Sequence, residues 1–212
     1  MRPPLQLALA AAIALVSLPL GAGLLPIEPL PPPDEVYPEP PPDWRGARVL
    51  HIGDSNVAMG LVKGLRRRFA EAGAIYEPHG WVGSRSKSWV VSGRLTELIR
   101  VFAPQVVVVT LETNTLGQRR TDVHAAWVKR LVERIGPRRC YWLGPPPLVD
   151  DTYHLGALLP GACSPCRFFD TSRLPYAKRD DGRFHLTRDQ GLDWAERVWA
   201  WMNGSFGASH AL

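Results

Sequence analysis

Residues 105–111 read QVVVVTL, and the four consecutive valines make this the clearest strand of the chain. A strand with one face in water alternates apolar and polar side chains, whereas a strand covered on both faces is apolar throughout. The run therefore predicts the centre of a parallel sheet. Four further short apolar runs predict the other strands, at 48–52, 74–76, 140–143 and 167–169.

Helical spacing fills the segments between these strands. Apolar residues recur every three or four positions over 57–72, 121–135 and 189–202, and a helix over 93–103 is predicted to end before Pro104. Strands that alternate with helices form a parallel sheet between two helical layers. The sequence thus predicts a three-layer α/β/α sandwich with a central sheet of about five strands, and reactive groups are expected beyond the carboxyl ends of the strands.

The beginning of the 212-residue chain has a different composition. Residues 5–25 are almost wholly apolar behind the single cation Arg2, which is typical of an export signal and also long enough to cross a bilayer. A stiff, proline-rich spacer follows. The predicted segments are a signal peptide or N-terminal membrane anchor at 1–25, a linker at 26–43, a folded domain at 44–205 and a C-terminal tail at 206–212. We expect an exported protein that is periplasmic, anchored facing outward, or secreted.

The charge of the chain is distributed unevenly. The formal net charge is +5, but residues up to Asp43 hold one Arg and five acidic residues, which leaves 24 basic against 15 acidic residues in the remainder. A basic surface attracts anionic polymers such as acidic polysaccharides, and membranes. No motif for recognition of nucleic acid is present, so nucleic acid is not an expected partner.

The three cysteines, Cys140, Cys163 and Cys166, predict one disulfide and one remaining thiol in an oxidising compartment. Cys163 and Cys166 are separated by Ser-Pro and can close a small loop, which is the pairing we expect. Pairing of either one with Cys140 remains an alternative. A zinc site needs a fourth ligand, so neither a metal site nor a cofactor is predicted.

The candidate chemistry begins at Gly53-Asp54-Ser55, between the first predicted strand and the first helix. At such a position the hydroxyl is exposed, and N–H groups at the helix start can face a developing negative charge. A serine hydroxyl needs a neighbouring base, normally a histidine oriented by a carboxylate. His185 lies just behind Asp181 and before the last helix. The alternative is that Asp54 or Ser55 only caps a helix.

These motifs resemble the conserved blocks of the SGNH/GDSL hydrolases, and the resemblance covers about residues 47–203. It implies a flavodoxin-like SGNH hydrolase fold with Ser55 as nucleophile, His185 as base and Asp181 as the carboxylate that orients it. It also implies an oxyanion hole formed by the Ser55 and Gly83 N–H groups and the Asn114 side chain. The four blocks are VLHIGDSNVAMGL at 49–61, Gly83 in WVGSRSKSW, VVVVTLETNT at 106–115 with Asn114, and DGRFHLT at 181–187.

The sequence departs from the family pattern at three places. Glu112 stands where the third block usually has glycine, and Thr115 stands where it usually has aspartate. Glu112 either reshapes the substrate pocket or points away and pairs with an arginine. Asp181 precedes His185 by four residues instead of three, so Asp180 is a second candidate for that role.

The resemblance implies an exported serine esterase without a cofactor. The expected substrate is a small-molecule or polysaccharide ester, which makes an O-deacetylase of carbohydrate or of a cell-envelope component the leading hypothesis. An O-acyltransferase with the same acyl-enzyme chemistry is one alternative. A catalytically inactive binding protein of the cell envelope, built on the same scaffold, is another.

Overall fold

The computed structural model describes residues 42–58, 60–176 and 185–204. Within them, five strands form one parallel sheet in the order β2-β1-β3-β4-β5. The strands are β1 (Arg48–Gly53), β2 (Ile75–Gly80), β3 (Val106–Thr110), β4 (Arg139–Leu143) and β5 (Arg167–Phe169). The predicted parallel sheet of about five strands is confirmed.

Six α-helices accompany the sheet in the described residues. Two of them, α2 and α5, were not expected from the sequence, because α2 is too short to show a helical period and α5 contains Pro160. Short 3₁₀ turns cover Ser55–Ala58 and Thr171–Arg173. The helices are α1 (Gly60–Glu71), α2 (Ser86–Val91), α3 (Arg94–Phe102), α4 (Thr121–Ile135), α5 (Leu155–Ala162) and α6 (Arg188–Met202).

The side chains of the valine run in β3 pack alternately against the two helical layers. Successive side chains of a strand point to opposite faces, so Val106 and Val108 join the core beneath α1 and α6. Val107 and Val109 join the core beneath α2, α3, α4 and α5. All five residues of β3 are buried. This explains why the run is apolar throughout, and it confirms that the sheet has helices on both sides.

Helices α1 and α6 pack with their backbones in close contact. A Cβ added to Gly60 would lie 2.3 Å from the Arg188 carbonyl oxygen, and one added to Gly64 would lie 2.4 Å from the Ala195 Cβ. Gly191 meets Gly60 in the same way, at 2.8 Å. Larger side chains would push the helices apart, so these glycines fix the distance between the first turns of α1 and α6. The segments that precede the two helices are brought together as a result.

The disulfide corrects the expected cysteine pairing. Cys140 on β4 is bonded to Cys166, with 4.5 Å between their Cα atoms, and Cys163 is a buried free thiol. Parallel pairing of β4 with β5 places Cys166, just before β5, beside Cys140. Cys163 instead follows the last turn of α5 and its side chain lies in the core. The expected Cys163–Cys166 bond is therefore wrong, and the alternative pairing with Cys140 is the one found.

The described residues contain no helix long and apolar enough to cross a bilayer. The predicted signal peptide or anchor at 1–25 and the tail at 206–212 lie outside the described residues, as does nearly all of the linker at 26–43. The domain predicted at 44–205 contains the whole sheet and all six helices.

Candidate active site

Ser55 lies immediately beyond the carboxyl end of β1, next to the central strand β3. Gly53 allows this approach, because a Cβ there would lie 2.2 Å from the Val57 side chain and 2.4 Å from the Thr110 carbonyl oxygen. The Asp54 N–H donates to that same carbonyl, at 3.0 Å. Only glycine fits at position 53. The chain therefore turns sharply away from β1, and Ser55 lies where the strands of the sheet have their carboxyl ends.

His185, which lies 130 positions after Ser55 in the sequence, contacts it in the structure. The Ser55 Oγ lies 2.7 Å from the His185 Nε2, which is a hydrogen-bond distance, and both residues are half-buried. Thr187 caps helix α6 two residues later, accepting from the Gln190 N–H at 3.2 Å and donating its own N–H to the Gln190 side chain at 2.9 Å. This capping box fixes how the chain enters α6 and therefore where His185 stands.

Asp181 and Asp180, the two candidates for the carboxylate behind His185, lie outside the described residues. The structure thus brings together two of the three expected triad members, Ser55 and His185.

Asn114 and Gly83 stand in neighbouring loops of the same sheet edge. The Asn114 side-chain amide donates to the Ser84 carbonyl oxygen at 3.0 Å and lies 3.5 Å from Asp54 Oδ2. Gly83 is exposed, with a φ of +74° and open space where a Cβ would be. Its backbone conformation, not crowding, favours glycine there. Gly80, the other glycine nearby, ends β2 in register with Gly53.

The loop that carries Gly83 is tied to the end of β1. The Trp81 N–H donates to the Gly53 carbonyl oxygen at 2.9 Å, and the Ser84 hydroxyl donates to the same oxygen at 3.3 Å. The Trp89 indole N–H donates to the Ser84 hydroxyl at 3.0 Å. Trp89 is fully buried, so it supports this loop from beneath, whereas Trp81 is partly exposed at the surface.

A buried polar network beneath Ser55 was missed by sequence reasoning. Asp54 is fully buried and accepts from the Asn56 N–H at 2.9 Å and from the Asn56 amide at 3.1 Å. Asn56 also donates to the Thr113 hydroxyl at 2.9 Å. Burial raises the pKa of Asp54 to about 6, although the hydrogen bonds from Asn56 and Thr113 oppose that shift and the Glu112 charge adds to it. The only sequence signal for Asn56 was its position one residue after Ser55.

Glu112 points toward the start of helix α2. One carboxylate oxygen accepts from the Ser86 N–H at 2.9 Å and from the Ser86 hydroxyl at 2.5 Å. The other accepts from the Thr115 hydroxyl at 2.5 Å. Glu112 is paired, but its partners among the described residues are Ser86 and Thr115 and not the arginine that the sequence suggested.

The backbone of Glu112 explains the family glycine at this position. Its φ is +82°, a left-handed conformation that glycine adopts at little cost and other residues adopt rarely. Glu112 is 1% exposed, and its hydrogen bonds join the loop after β3 to the segment that follows Gly83. In this chain, side-chain hydrogen bonds offset the conformational cost at position 112.

A cavity of about 480 Å³ opens on the β4 and β5 side of the same sheet edge. Its described lining includes Leu116 from the Asn114 loop, Pro145 to Pro147 after β4, and Phe168 on β5, but neither Ser55 nor His185. The segment between β4 and β5 supplies much of this lining. The cavity is therefore an adjacent feature, separate from the Ser55–His185 pair.

No family model and no curated protein sequence matches this chain. Solved structures do resemble it. A family 3 carbohydrate esterase of Clostridium thermocellum superposes with a TM-score of 0.61 at 17% identity, covering 74% of this chain and 94% of that one. A catalytic mutant of Axe2, an acetylxylan esterase of Geobacillus stearothermophilus, gives 0.61 at 15% identity, covering 76% and 95%.

A third similar structure is LAE5, an α/β hydrolase enzyme from the metagenome of Lake Arreo in Spain. It superposes with a TM-score of 0.60 at 16% identity and covers 79% of this chain and 100% of LAE5. At these identities the likeness is one of fold. The structural neighbours are hydrolases that include carbohydrate esterases, and they support the SGNH/GDSL resemblance at the level of the fold.

Proposed function

We propose that this protein is an exported serine esterase that removes O-acyl groups, with acetyl first among them, from a carbohydrate of the cell envelope or its surroundings. One observation carries the proposal: the 2.7 Å contact between the Ser55 Oγ and the His185 Nε2 at the carboxyl edge of a parallel sheet. A hydroxyl and an imidazole at this distance form a nucleophile–base pair. They come from sequence positions 130 residues apart, so local turn formation does not account for the contact.

In the proposed reaction, the Ser55 Oγ attacks the ester carbonyl carbon while its proton moves to the His185 Nε2. The tetrahedral intermediate then collapses. The bond from the carbonyl carbon to the alcohol oxygen breaks, and His185 returns the proton to that oxygen, so that the free alcohol leaves acyl-Ser55. A water molecule attacks the acyl group next, with His185 taking its proton, and the release of the acid restores the Ser55 hydroxyl.

The remaining roles follow from the same chemistry. Asp181 would hold the imidazole of His185 in the required tautomer. The backbone N–H groups of Ser55 and Gly83 and the side-chain amide of Asn114 would stabilise the oxyanion. Asn114 has one amide proton committed to the Ser84 carbonyl at 3.0 Å, and its contact to Asp54 is longer, at 3.5 Å. A substrate oxygen can replace that weaker contact.

The carbohydrate assignment is supported by the similar structures and by the surface near Ser55. Two of those structures are a family 3 carbohydrate esterase and an acetylxylan esterase. Trp81, partly exposed beside Gly83, offers an aromatic surface of the kind that packs against sugar rings. Export rests on the apolar stretch at 5–25, and retention of that stretch would anchor the domain to a membrane.

The test is hydrolysis of a short-chain aryl acetate by the full chain, compared with Ser55→Ala and His185→Ala. We expect each variant to lose at least about 10³-fold in kcat, because neither half of the pair works alone. Ser92→Ala, at an exposed serine between α2 and α3, is the matched control and should retain wild-type activity. A fluorophosphonate should label wild type and the control, but not Ser55→Ala.

Each outcome separates one hypothesis from the others. Wild type that neither hydrolyses the ester nor reacts with the fluorophosphonate would contradict the esterase and favour the inactive binding scaffold. Labelling with slow hydrolysis, accelerated by an added oligosaccharide that becomes acylated, would identify an acyltransferase. Equal activity in wild type and Ser55→Ala would place the nucleophile elsewhere.

A further inference from the structure

Arg85 is held next to the Asn114 loop by a short series of hydrogen bonds. Its Nη1 donates to the Gln118 Oε1 at 3.2 Å, and the Gln118 Nε2 donates to the Asn114 carbonyl oxygen at 2.6 Å. The residue before Arg85, Ser84, accepts from the Asn114 side chain. A single amide group therefore separates the guanidinium from the backbone of Asn114, which places a fixed positive charge beside the proposed oxyanion site.

The charge of Arg85 has no carboxylate partner among the residues that the structure describes. Other arginines of the chain are paired in this way, for example Arg68 with Glu196 and Arg100 with Glu97. The two buried carboxylates closest to the site in sequence, Asp54 and Glu112, accept hydrogen bonds from other groups. Arg85 is half-buried, so part of its guanidinium faces solvent with donors available.

A second cation lies near Trp81, in the loop that carries Gly83. The Arg94 guanidinium stands 5.8 Å from the centre of the Trp81 ring and 5.2 Å from that of Trp89. Arg94 is exposed and likewise forms no ion pair with any described residue. The segment from Trp81 to Arg94 therefore carries two positive charges without a described carboxylate partner, one beside the Asn114 loop and one beside Trp81.

We propose that Arg85 binds a carboxylate carried by the substrate, so that the natural substrate is an O-acylated acidic sugar such as a uronic acid residue. This inference rests on the proposed esterase function. A guanidinium binds a carboxylate through two parallel N–H donors, and charge-assisted hydrogen bonds are about twice as strong as neutral ones. Arg94 adds a field of the same sign, which attracts an anionic chain toward the same loop.

The test compares two substrates that differ by one charge. The probes are the methyl glycosides of glucose and of glucuronic acid, each O-acetylated at positions 2, 3 and 4 only, so that C6 is a free hydroxymethyl group in the first and a free carboxylate in the second. Acetate release by the full chain gives kcat/KM for each. We expect wild type to prefer the glucuronate by about tenfold, the size expected of one charge-assisted hydrogen bond at a half-exposed position.

Arg85→Gln keeps hydrogen-bonding capacity but removes the charge, and we expect it to lose most of that preference. Arg85→Lys should retain part of it, because a point charge remains without the paired donors. The matched control is Arg134→Gln, at an exposed arginine in the last turn of α4 near the opposite edge of the sheet, and it should keep the wild-type ratio. Raising NaCl to about 0.5 M should reduce the preference of wild type.

Failure of this inference is distinguishable from failure of the esterase proposal. Wild type that hydrolyses the aryl acetate and both sugars with equal kcat/KM, or that prefers the neutral glucoside, overturns only the role of Arg85. Retention of the preference in Arg85→Gln overturns it as well. Wild type inactive on the aryl acetate and on both sugars overturns the esterase and this inference together.

Discussion

The segments at the carboxyl ends of the strands form two halves that differ in amino-acid composition. Beyond β1, β2 and β3, seven of the buried residues are polar or charged: Asp54, Asn56, Ser84, Ser86, Glu112, Thr113 and Thr115. Beyond β4 and along β5, the chain places prolines, leucines and phenylalanines, and the disulfide joins the amino ends of these same two strands. Ser55 and Asn114 belong to the polar half, whereas the cavity of about 480 Å³ lies in the apolar half.

The two halves have different roles: one holds the residues of the site in position, and the other stabilises the domain. A buried polar group destabilises a fold unless it is hydrogen-bonded, and a network that is fully bonded becomes rigid. Among the described residues, the buried polar side chains of this half are hydrogen-bonded at nearly every atom, the exception being the Asn56 Oδ1, so the polar half is suited to holding Ser55, Gly83 and Asn114 in fixed positions. The apolar half stabilises the domain through burial and a covalent bond, neither of which requires a particular geometry at Ser55.

Removal of the disulfide is expected to have the largest effect on stability and a small effect on chemistry. Cys140 and Cys166 are 26 residues apart, and a closed loop of that length stabilises a fold by about 3–4 kcal/mol. Urea unfolding of Cys140→Ala/Cys166→Ala should show this loss together with a larger m-value, because the unfolded chain without the cross-link exposes more surface. Its kcat/KM on the aryl acetate should stay within about twofold of wild type where it remains folded.

The control for that variant is Cys163→Ala, which removes a buried thiol and leaves the disulfide intact. We expect it to cost about 1 kcal/mol through lost packing. A folded double variant with kcat reduced tenfold or more would show that the apolar half also positions Ser55, and it would remove the distinction between the halves.

The charge of Asp54 is expected to make stability depend on pH. Its pKa is about 6 in the folded protein against an ordinary value of 3.8, so the folded state binds more protons than the unfolded state between these values. The unfolding free energy contributed by Asp54 therefore falls as pH rises through that window, by up to about 3 kcal/mol. Asp54→Asn cannot titrate, so the stability of wild type relative to this variant should decrease from pH 4 to pH 7.

Asp189→Asn, at an exposed carboxyl in the first turn of α6, is the control for that measurement, and its stability relative to wild type should change little over the same range. A difference between wild type and Asp54→Asn that stays constant or grows with pH would show that Asp54 is charged at little cost. The polar half would then be better solvated than its burial implies.

The smallest expected effect concerns Glu112. Glu112→Gln keeps one carbonyl oxygen for Ser86 but leaves the Thr115 hydroxyl facing an amide that cannot accept. We expect a loss of about 1–2 kcal/mol in unfolding free energy because the bond within the loop after β3 is lost, together with a lower kcat because the bond to Ser86 that joins the two loops is no longer charge-assisted. Glu133→Gln, exposed on α4, should match wild type in both. A variant that loses stability but keeps kcat would limit Glu112 to a structural role.

The fold was largely readable from the sequence because its signals are local and strong. The four valines of β3 predicted a strand covered on both faces, and helix α4 was predicted with the bounds that the structure has. Short elements were missed for the same reason. Six residues in α2 do not display a period, and Pro160 inside α5 argues against a helix at the level of sequence.

The sequence predicted residues of the site only where a motif specified the residue type. Gly53-Asp54-Ser55 and His185 were identified, and the structure places Ser55 and His185 in contact. Asn56 was not identified, since an asparagine after a serine has no distinguishing pattern. The partners of Glu112 were also missed, because Ser86 approaches it from 26 positions earlier in the chain.

By itself, the sequence determined the alternation of strands and helices and the Gly53-Asp54-Ser55 motif after the first strand, since both are local patterns of residue type. Tertiary structure alone decided which distant groups meet. The close packing of Gly60 and Gly64 against α6 brings His185 to Ser55, and the pairing of β4 with β5 selects Cys140 as the partner of Cys166. Such contacts depend on the three-dimensional arrangement of whole elements, which no local stretch of residues encodes.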